Sequence, residues 1–202
     1  YKSDWLQHLL GINLHISQPA TLYATVNDDN RTMTLEGDLP RATLNGASYA
    51  DGQIRIHVLS PMDTLRCSLS TSRLSDNGRM LINLNASAAG NNLKTSLAWN
   101  DSKAANRMSG ELNSITELYR NLANKPEAHV RIQPSHVILN DTVWSVEPSD
   151  ILYSDNNLLV DHFNIHHGQQ HITIDGKASK RAHDTLTVDL NEVEGAYILD
   201  LV

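Results

Sequence analysis

Along most of the chain the apolar residues recur at every second position, the spacing that sets them on one face of a strand and leaves the other face polar. Leu22, Ala24 and Val26 alternate in phase, as do Met33 with Leu35, then Ile54, Ile56 and Val58, then Leu65, Cys67 and Leu69. Met80, Ile82, Leu84 and Ala86 repeat the pattern, followed by Leu93, Leu97 and Trp99 and by Met108 and Leu112. Between these runs lie Asp51-Gly52, Asn77-Gly78 and Gly90-Asn91, whose residues tolerate the positive φ of tight hairpin turns. Asn27-Asp28-Asp29-Asn30 and Asp155-Asn156-Asn157 read as slightly longer connections. No segment has the strand-helix-strand pattern of a parallel sheet, so the expectation is a mainly β fold built as a long antiparallel meander.

Two short helices are expected to interrupt it. Ser3 or Asp4 can cap a turn or two through Leu10, with Gly11 as the stop. In SITELYRNLANKP, Ser114 and Glu117 have capping-box spacing, Leu118 and Leu122 share a helical face, and Pro126 ends the run. Strands resume near Val130 to Ile132 and Val137 to Leu139, and an Asn140-Asp141 turn leads to Val143 through Val146. Residues 1–202 are thus expected to form a single elongated β segment, with a sub-boundary near 114–127.

Composition narrows the classes. With 40% hydrophobic and 19% charged residues the chain is globular in type, and no apolar run reaches the roughly 18 residues of a membrane-spanning helix. A net charge of -7, with 16 Lys and Arg scattered along the chain, opposes a phosphate backbone, so nucleic acid is not an expected partner. Cys67 is the only cysteine, which excludes an internal disulfide and a multi-thiolate metal cage; in LRCSLS it alternates with Leu65 and Leu69 as a small hydrophobe. The start at Tyr1, without Met or a leader-like segment, suggests an excerpt of a longer protein.

The stretch DHFNIHHGQQHITIDG, Asp161 to Gly176, gathers four histidines. With His167-Gly168 as the turn, His166 pairs with Gln169, Asn164 with His171 and Phe163 with Ile172. Phe163, Ile165, Ile172 and Ile174 then share an apolar side, and His162, His166 and His171 a polar one. His162 and His166 would stand about 13 Å apart along the strand, too far for nitrogens that must all lie near 2 Å from one zinc. No metal site is expected. Asp161, Asp175 and Asp184 lie near these histidines, but the chain has no G-x-S-x-G, no HExxH and no glycine-rich phosphate loop, so neither enzyme activity nor a cofactor is expected. Trp5, Trp99 and Trp144 fall in separate elements and form no platform for a glycan.

The aliphatic face admits two architectures. In one, two sheets close over each other as a sandwich, as in a secreted or surface module that binds glycan or protein. In the other, one curved sheet leaves its apolar face open as a trough, an exposed apolar surface large enough to demand an apolar occupant. The open form would line its interior with Ile54, Ile56, Val58, Leu65, Leu69, Met80, Ile82, Leu84, Leu93 and Leu97.

The segment WSVEPSDILYSDNNLLVDHFNIHHGQQHITIDGKAS, Trp144 to Ser179, resembles the TamB-like translocation and assembly module family of Gram-negative bacteria. The likeness lies in its cadence: a Trp with alternating residues, a Pro-Ser pair, Ile151 to Tyr153, a polar turn, and an apolar strand with Asn164 near its end. A glycine turn and the strand ending in Ile174-Asp175-Gly176 complete it. HDTLTVDLNEVEGAYILDLV, His183 to Val202, is similar as well, while the first two thirds match in style only. The resemblance implies a periplasmic segment of a longer protein anchored at the inner membrane, acting in outer-membrane biogenesis. It implies an open β-groove that conducts phospholipid or another acyl-chain ligand, and an outer-membrane barrel protein as a partner through parts outside this chain. It carries no catalytic residues. Its inward phase falls on Phe163, Ile165, Ile172, Ile174, Leu186, Val188 and Leu190.

Overall fold

The chain is described by a computed structural model, covering residues 13–59, 64–75, 78–101, 108–155, 157–179, 181 and 183–193. Residues 1–90 with 97–104 form one compact unit, and residues 91–96 with 105–202 a second. Among the described residues every regular element is a strand and every described pairing is antiparallel. The helix expected from Ser3 to Leu10 lies outside the described residues.

In the first unit, β1 (Leu14–Ile16) and β2 (Thr21–Asn27) both pair with β3 (Thr32–Leu44), and the ladder runs on through β4 (Ala47–Leu59) and β5 (Thr64–Ser75) to β6 (Gly78–Ala89). The β3–β4 hairpin turns at Asn45-Gly46, whose φ values of 49° and 89° suit the left-handed geometry of a two-residue turn. Asp51-Gly52, expected to be a turn, is instead a bulge inside β4. Ala50 lies opposite Ser72 but Gln53 opposite Ser70, so β4 gains one residue there, and Asp51 takes φ 54°. The same dipeptide chemistry serves both features, because a bulge and a turn alike need a residue that accepts positive φ. The Asp51 carboxylate then accepts from Arg79 on β6 at 2.7 Å.

β7 (Asn92–Asp101) contributes its first residues, through Ser96, to the second unit and its later ones to the first. The second unit continues with β8 (Ser109–Arg120), β9 (Pro126–Ile132), β10 (Ser135–Leu139), β11 (Thr142–Val146), β12 (Ser149–Ser154), β13 (Asn157–His167), β14 (Gln170–Ala178) and β15 (Leu186–Asn191). β8 occupies the segment expected to be a helix. Its alternation of Leu112, Ser114 and Thr116 against Asn113, Ile115 and Glu117 has period two, and β-branched Ile115 and Thr116 favour a pleated surface. Only two leucines supported the helical face, and tertiary pairing overrides so weak a preference. Ser114 bonds Thr95 across the ladder at 2.6 Å instead of capping a helix, and Pro126 opens β9.

The register reveals that β9 and β10 are one long strand, and β11 and β12 another. Ile132 faces Ser149 and Ser135 faces Val146, so the two long strands stay in step across their interruptions at Gln133-Pro134 and Glu147-Pro148. Proline lacks the donor a ladder needs, but the neighbouring amides hold the sheet together: Gln133 N–H donates to Asn113 O at 2.8 Å and Glu147 N–H to Asn164 O at 3.0 Å. Each long strand, like β13 beside them, carries one residue more than the flanking β8 or β14. Ser114 and Gly110 of β8 face Ile132 and Val137, while Val160 and Phe163 of β13 face Gly176 and Ile174. A line of bulges therefore crosses three adjacent strands, with His162 at φ 52° in the last of them. The extra residue switches odd to even numbering without changing side, so Ile132 and Val137 share a face, as do Val160 and Phe163. The buried apolar residues of this unit, Ile132, Val137, Leu139, Trp144, Val146 and Val160, lie on that face around the bulge line, Trp144 at 0% exposure.

Candidate functional site

In the first unit the register assembles the expected aliphatic positions into rows that cross five strands. Leu22, Gly37, Ile54, Leu69 and Leu84 form one row; Ala24, Leu35, Ile56, Cys67 and Ala86 the next; Val26, Met33, Val58, Leu65 and Ala88 the third. Ile82 and Met80 extend the same face along β6, opposite Thr71 and Arg73. A second protein layer would reduce such side chains to a few per cent exposure. Here Leu22 is 60% exposed and Val26 72%, and Ile54, Ile56, Val58, Leu69, Met80, Ile82 and Leu84 are only half-buried.

The second unit repeats the arrangement. Val146, Ile165, Ile172 and Leu190 form one row, and Phe163, Ile174 and Val188 the next. Leu186 lies opposite Gly176 on the same side. Phe163, Ile165, Ile172 and Ile174 are half-buried, whereas Leu186, Val188 and Leu190 are exposed, Val188 at 56%. The bond from Leu118 N–H to Asn91 O and the Thr95–Ser114 pair put Leu93 on the side of β7 that faces the same way as Thr116. Leu97 is half-buried, in the part of β7 that belongs to the first unit.

The histidine hairpin turns one residue later than expected, at Gly168-Gln169, so His166 faces His171, Asn164 faces Thr173 and Phe163 faces Ile174. Gly168, at φ 59°, supplies the left-handed residue from within the turn instead of closing it. Moving the pairing by two residues keeps Phe163, Ile165, Ile172 and Ile174 on one side, because a shift of two preserves the alternation. The histidines disperse to separate partners: His166 Nε2 lies 3.3 Å from Glu147, His171 Nε2 3.6 Å from Asp189, and His167 Nδ1 2.8 Å from the Val143 carbonyl. His167 also meets the Trp144 ring at a centroid distance of 6.0 Å. His162 is not part of a flat polar face; it sits in the bulge, its N–H donating to Asp175 at 3.0 Å. The Asp161 carbonyl accepts from Ser149 at 3.0 Å. Among the described residues no three His, Cys, Asp or Glu side chains converge as a metal cluster would require.

Two carboxyls are held below their ordinary range. The Ser154 hydroxyl, and after it the Asn121 amide, donate to Glu127; the Ser179 hydroxyl, with Lys177 nearby, does the same for Asp184. Both hold turns to the neighbouring strands.

A feature the sequence did not announce lies on the opposite side of the first unit. A cavity of about 430 Å³ is lined by Tyr23, Glu36, Asp38, Gln53, Arg55, Ser68, Ser70, Asn83 and Asn85, with Gly37, Ile54 and Leu69 between them. The register explains the set. Tyr23, Glu36, Arg55, Ser68 and Asn85 form one polar row and Asp38, Gln53, Ser70 and Asn83 another, flanking the Gly37–Ile54–Leu69 row. This is not the expected apolar channel, since its side chains belong to the polar face. Its only trace in the sequence is paired polar residues two apart, as in Glu36/Asp38 and Asn83/Asn85, which any strand with a solvated face also has.

Comparison with protein-family models, with curated proteins and with solved structures finds no match to this chain.

Proposed function

We propose that this chain is a non-catalytic carrier surface for acyl chains, working as a trough whose wall is the aliphatic face of its sheet. The single observation that carries the reading is that face itself: rows of mostly aliphatic side chains in register from β2 to β6, and again from β13 to β15, most of them left half-buried or exposed. An apolar surface of that extent in water is unfavourable by about 25 cal/mol per Å², and each lipid methylene kept off water along it gains about 0.8 kcal/mol. A tail can therefore move from row to row without crossing a large barrier, and no bond need be made or broken. In this reading the resemblance to TamB-like proteins supplies the setting. The chain serves in the periplasm, within a longer protein anchored at the inner membrane, and passes phospholipid during outer-membrane biogenesis.

The test is a photo-crosslinking residue at Ile56, read for lipid adducts by mass spectrometry, with Ile82→Asp introduced into the same row system. The expected result is lipid crosslinking by the parent and at least a tenfold loss in the variant, with an unchanged far-ultraviolet circular dichroism spectrum. Undiminished crosslinking in a folded Ile82→Asp protein, or no lipid adduct in either, overturns the proposal.

A further inference from the structure

We infer that the polar cavity across β2 to β6 is a binding site for a neutral saccharide, on the side of the sheet opposite the aliphatic face. Its volume of about 430 Å³ lies at the small end of the range of roughly 300–1,000 Å³ typical of small-molecule sites. The chemistry of its lining selects the ligand.

Charge comes first. Glu36 and Arg55 form an ion pair at 3.0 Å across β3 and β4, which neutralises both and leaves Asp38 as the remaining charge in the lining. A site with one residual negative charge repels phosphate, sulfate and carboxylate groups, and a lone carboxylate is no cage for a divalent cation. What remains is a set of neutral groups that each donate and accept: the amides of Gln53, Asn83 and Asn85 and the hydroxyls of Ser68 and Ser70. Sugar hydroxyls also donate and accept at the same atom, so they can match such a set in a way that purely donating or purely accepting ligands cannot. These side chains stand on adjacent rows of β4, β5 and β6, so their spacing is set by the ladder and not by a loop.

Tyr23 supplies the apolar element. It is 69% exposed, lies opposite Glu36 at the β2 end of the cavity, and offers a ring face against which the C–H side of a pyranose can stack. The Glu36–Arg55 pair beside it fixes the orientation of two further polar groups before any ligand arrives. Rigid placement of this kind lowers the ordering cost of binding.

The experiment titrates the full chain with N,N′-diacetylchitobiose and with maltose, following the side-chain amide signals of Gln53, Asn83 and Asn85 by nuclear magnetic resonance, with glucose 6-phosphate as the anionic comparison. The expected result is saturable shifts of these amides by at least one disaccharide, at least tenfold weaker binding of the phosphate, and at least tenfold weaker disaccharide binding by Tyr23→Ala or Gln53→Ala. Gln170→Ala, remote in sequence and on β14, is expected to bind as the parent does. The inference is overturned if neither disaccharide shifts the amides at millimolar concentration, if the phosphate binds better than the sugars, or if folded Tyr23→Ala and Gln53→Ala both bind as tightly as the parent. Lipid crosslinking at Ile56 reads the other face, so the two proposals fail independently.

Discussion

At the scale of single residues, Gly176 shows why a position in a regular strand can be closed to every other amino acid. Its φ is 111°, and a Cβ there would stand 2.4 Å from the Thr185 carbonyl oxygen, which is main chain and cannot swing aside. Gly176→Ala is expected to destabilise the protein by roughly 2–3 kcal/mol through backbone strain, with fast amide exchange concentrated in β14 and β15. Gly90, at φ 56° with nothing within 4 Å of its missing Cβ, makes the comparison. There only the left-handed conformation costs, and alanine is expected to lose about 1 kcal/mol. Equal urea midpoints for the two variants would refute the steric argument. Trp144 is the opposite case, the largest fully buried side chain of the described residues, set among Ile132, Val137, Leu139, Val146 and Val160. Trp144→Ala removes the centre of the packing around the bulge line and is expected to cost about 3–5 kcal/mol in chemical denaturation.

At the scale of elements, alternation made the strands legible and left their edges and interruptions obscure. The phase of Ile54, Ile56 and Val58 against Leu65, Cys67 and Leu69 was readable because period two depends only on the residues within each strand. Features that depend on a partner strand were not. Asp51-Gly52 carries turn chemistry yet bulges, because β3 keeps pairing with β4 on both sides of it. Pro134 and Pro148 interrupt their strands, but they fall opposite Glu147 and Gln133 in the continued register, so two prolines share one break and the sheet closes around it. The mistaken helix at Ser114 to Leu122 has the same origin, since a capping box is local while the Thr95–Ser114 bond is not. Glu127 exposes one of these joins to measurement. It accepts from Ser154 of β12 and from Asn121 in the turn before β9, and those bonds hold its folded pKa below the ordinary carboxylate range. A carboxyl with a lowered folded pKa contributes stability above its unfolded pKa, and the contribution is lost as pH falls through the folded one. The urea midpoint is expected to decline as pH drops below about 4.5, with earlier exchange of amides in β9 and β12. Glu127→Gln is expected to flatten that decline; an unchanged pH profile would remove Glu127 from the join.

At the scale of the whole molecule, the two sides of the sheet differ in what could be read. On the apolar side, the shared phase of Ile54, Ile56 and Val58 within β4 could be read from alternation alone, whereas Leu186, Val188 and Leu190 entered only through the resemblance. Whether a second layer covers that face depends on what lies outside the strand, and no alternation pattern encodes it. The polar side yielded nothing in advance, since Asn83 and Arg55 become neighbours in one cavity only through the registers of two successive hairpins. Net charge now bears on the proposed function. A chain with formal charge -7 that must approach a lipid surface is repelled when the surface is anionic, and the repulsion reaches about 30 Å at 0.01 M salt but only about 3 Å at 1 M. Uptake of a fluorescent phospholipid from vesicles containing anionic lipid is therefore expected to be slower at low salt than uptake from neutral vesicles, and the two rates are expected to converge as salt rises. The tails enter through apolar contact, which salt does not screen, so uptake from neutral vesicles is expected to hold steady over the same range. Faster uptake from anionic vesicles at low salt would mean that a basic patch guides the approach, and the aliphatic face would no longer suffice as the site of capture.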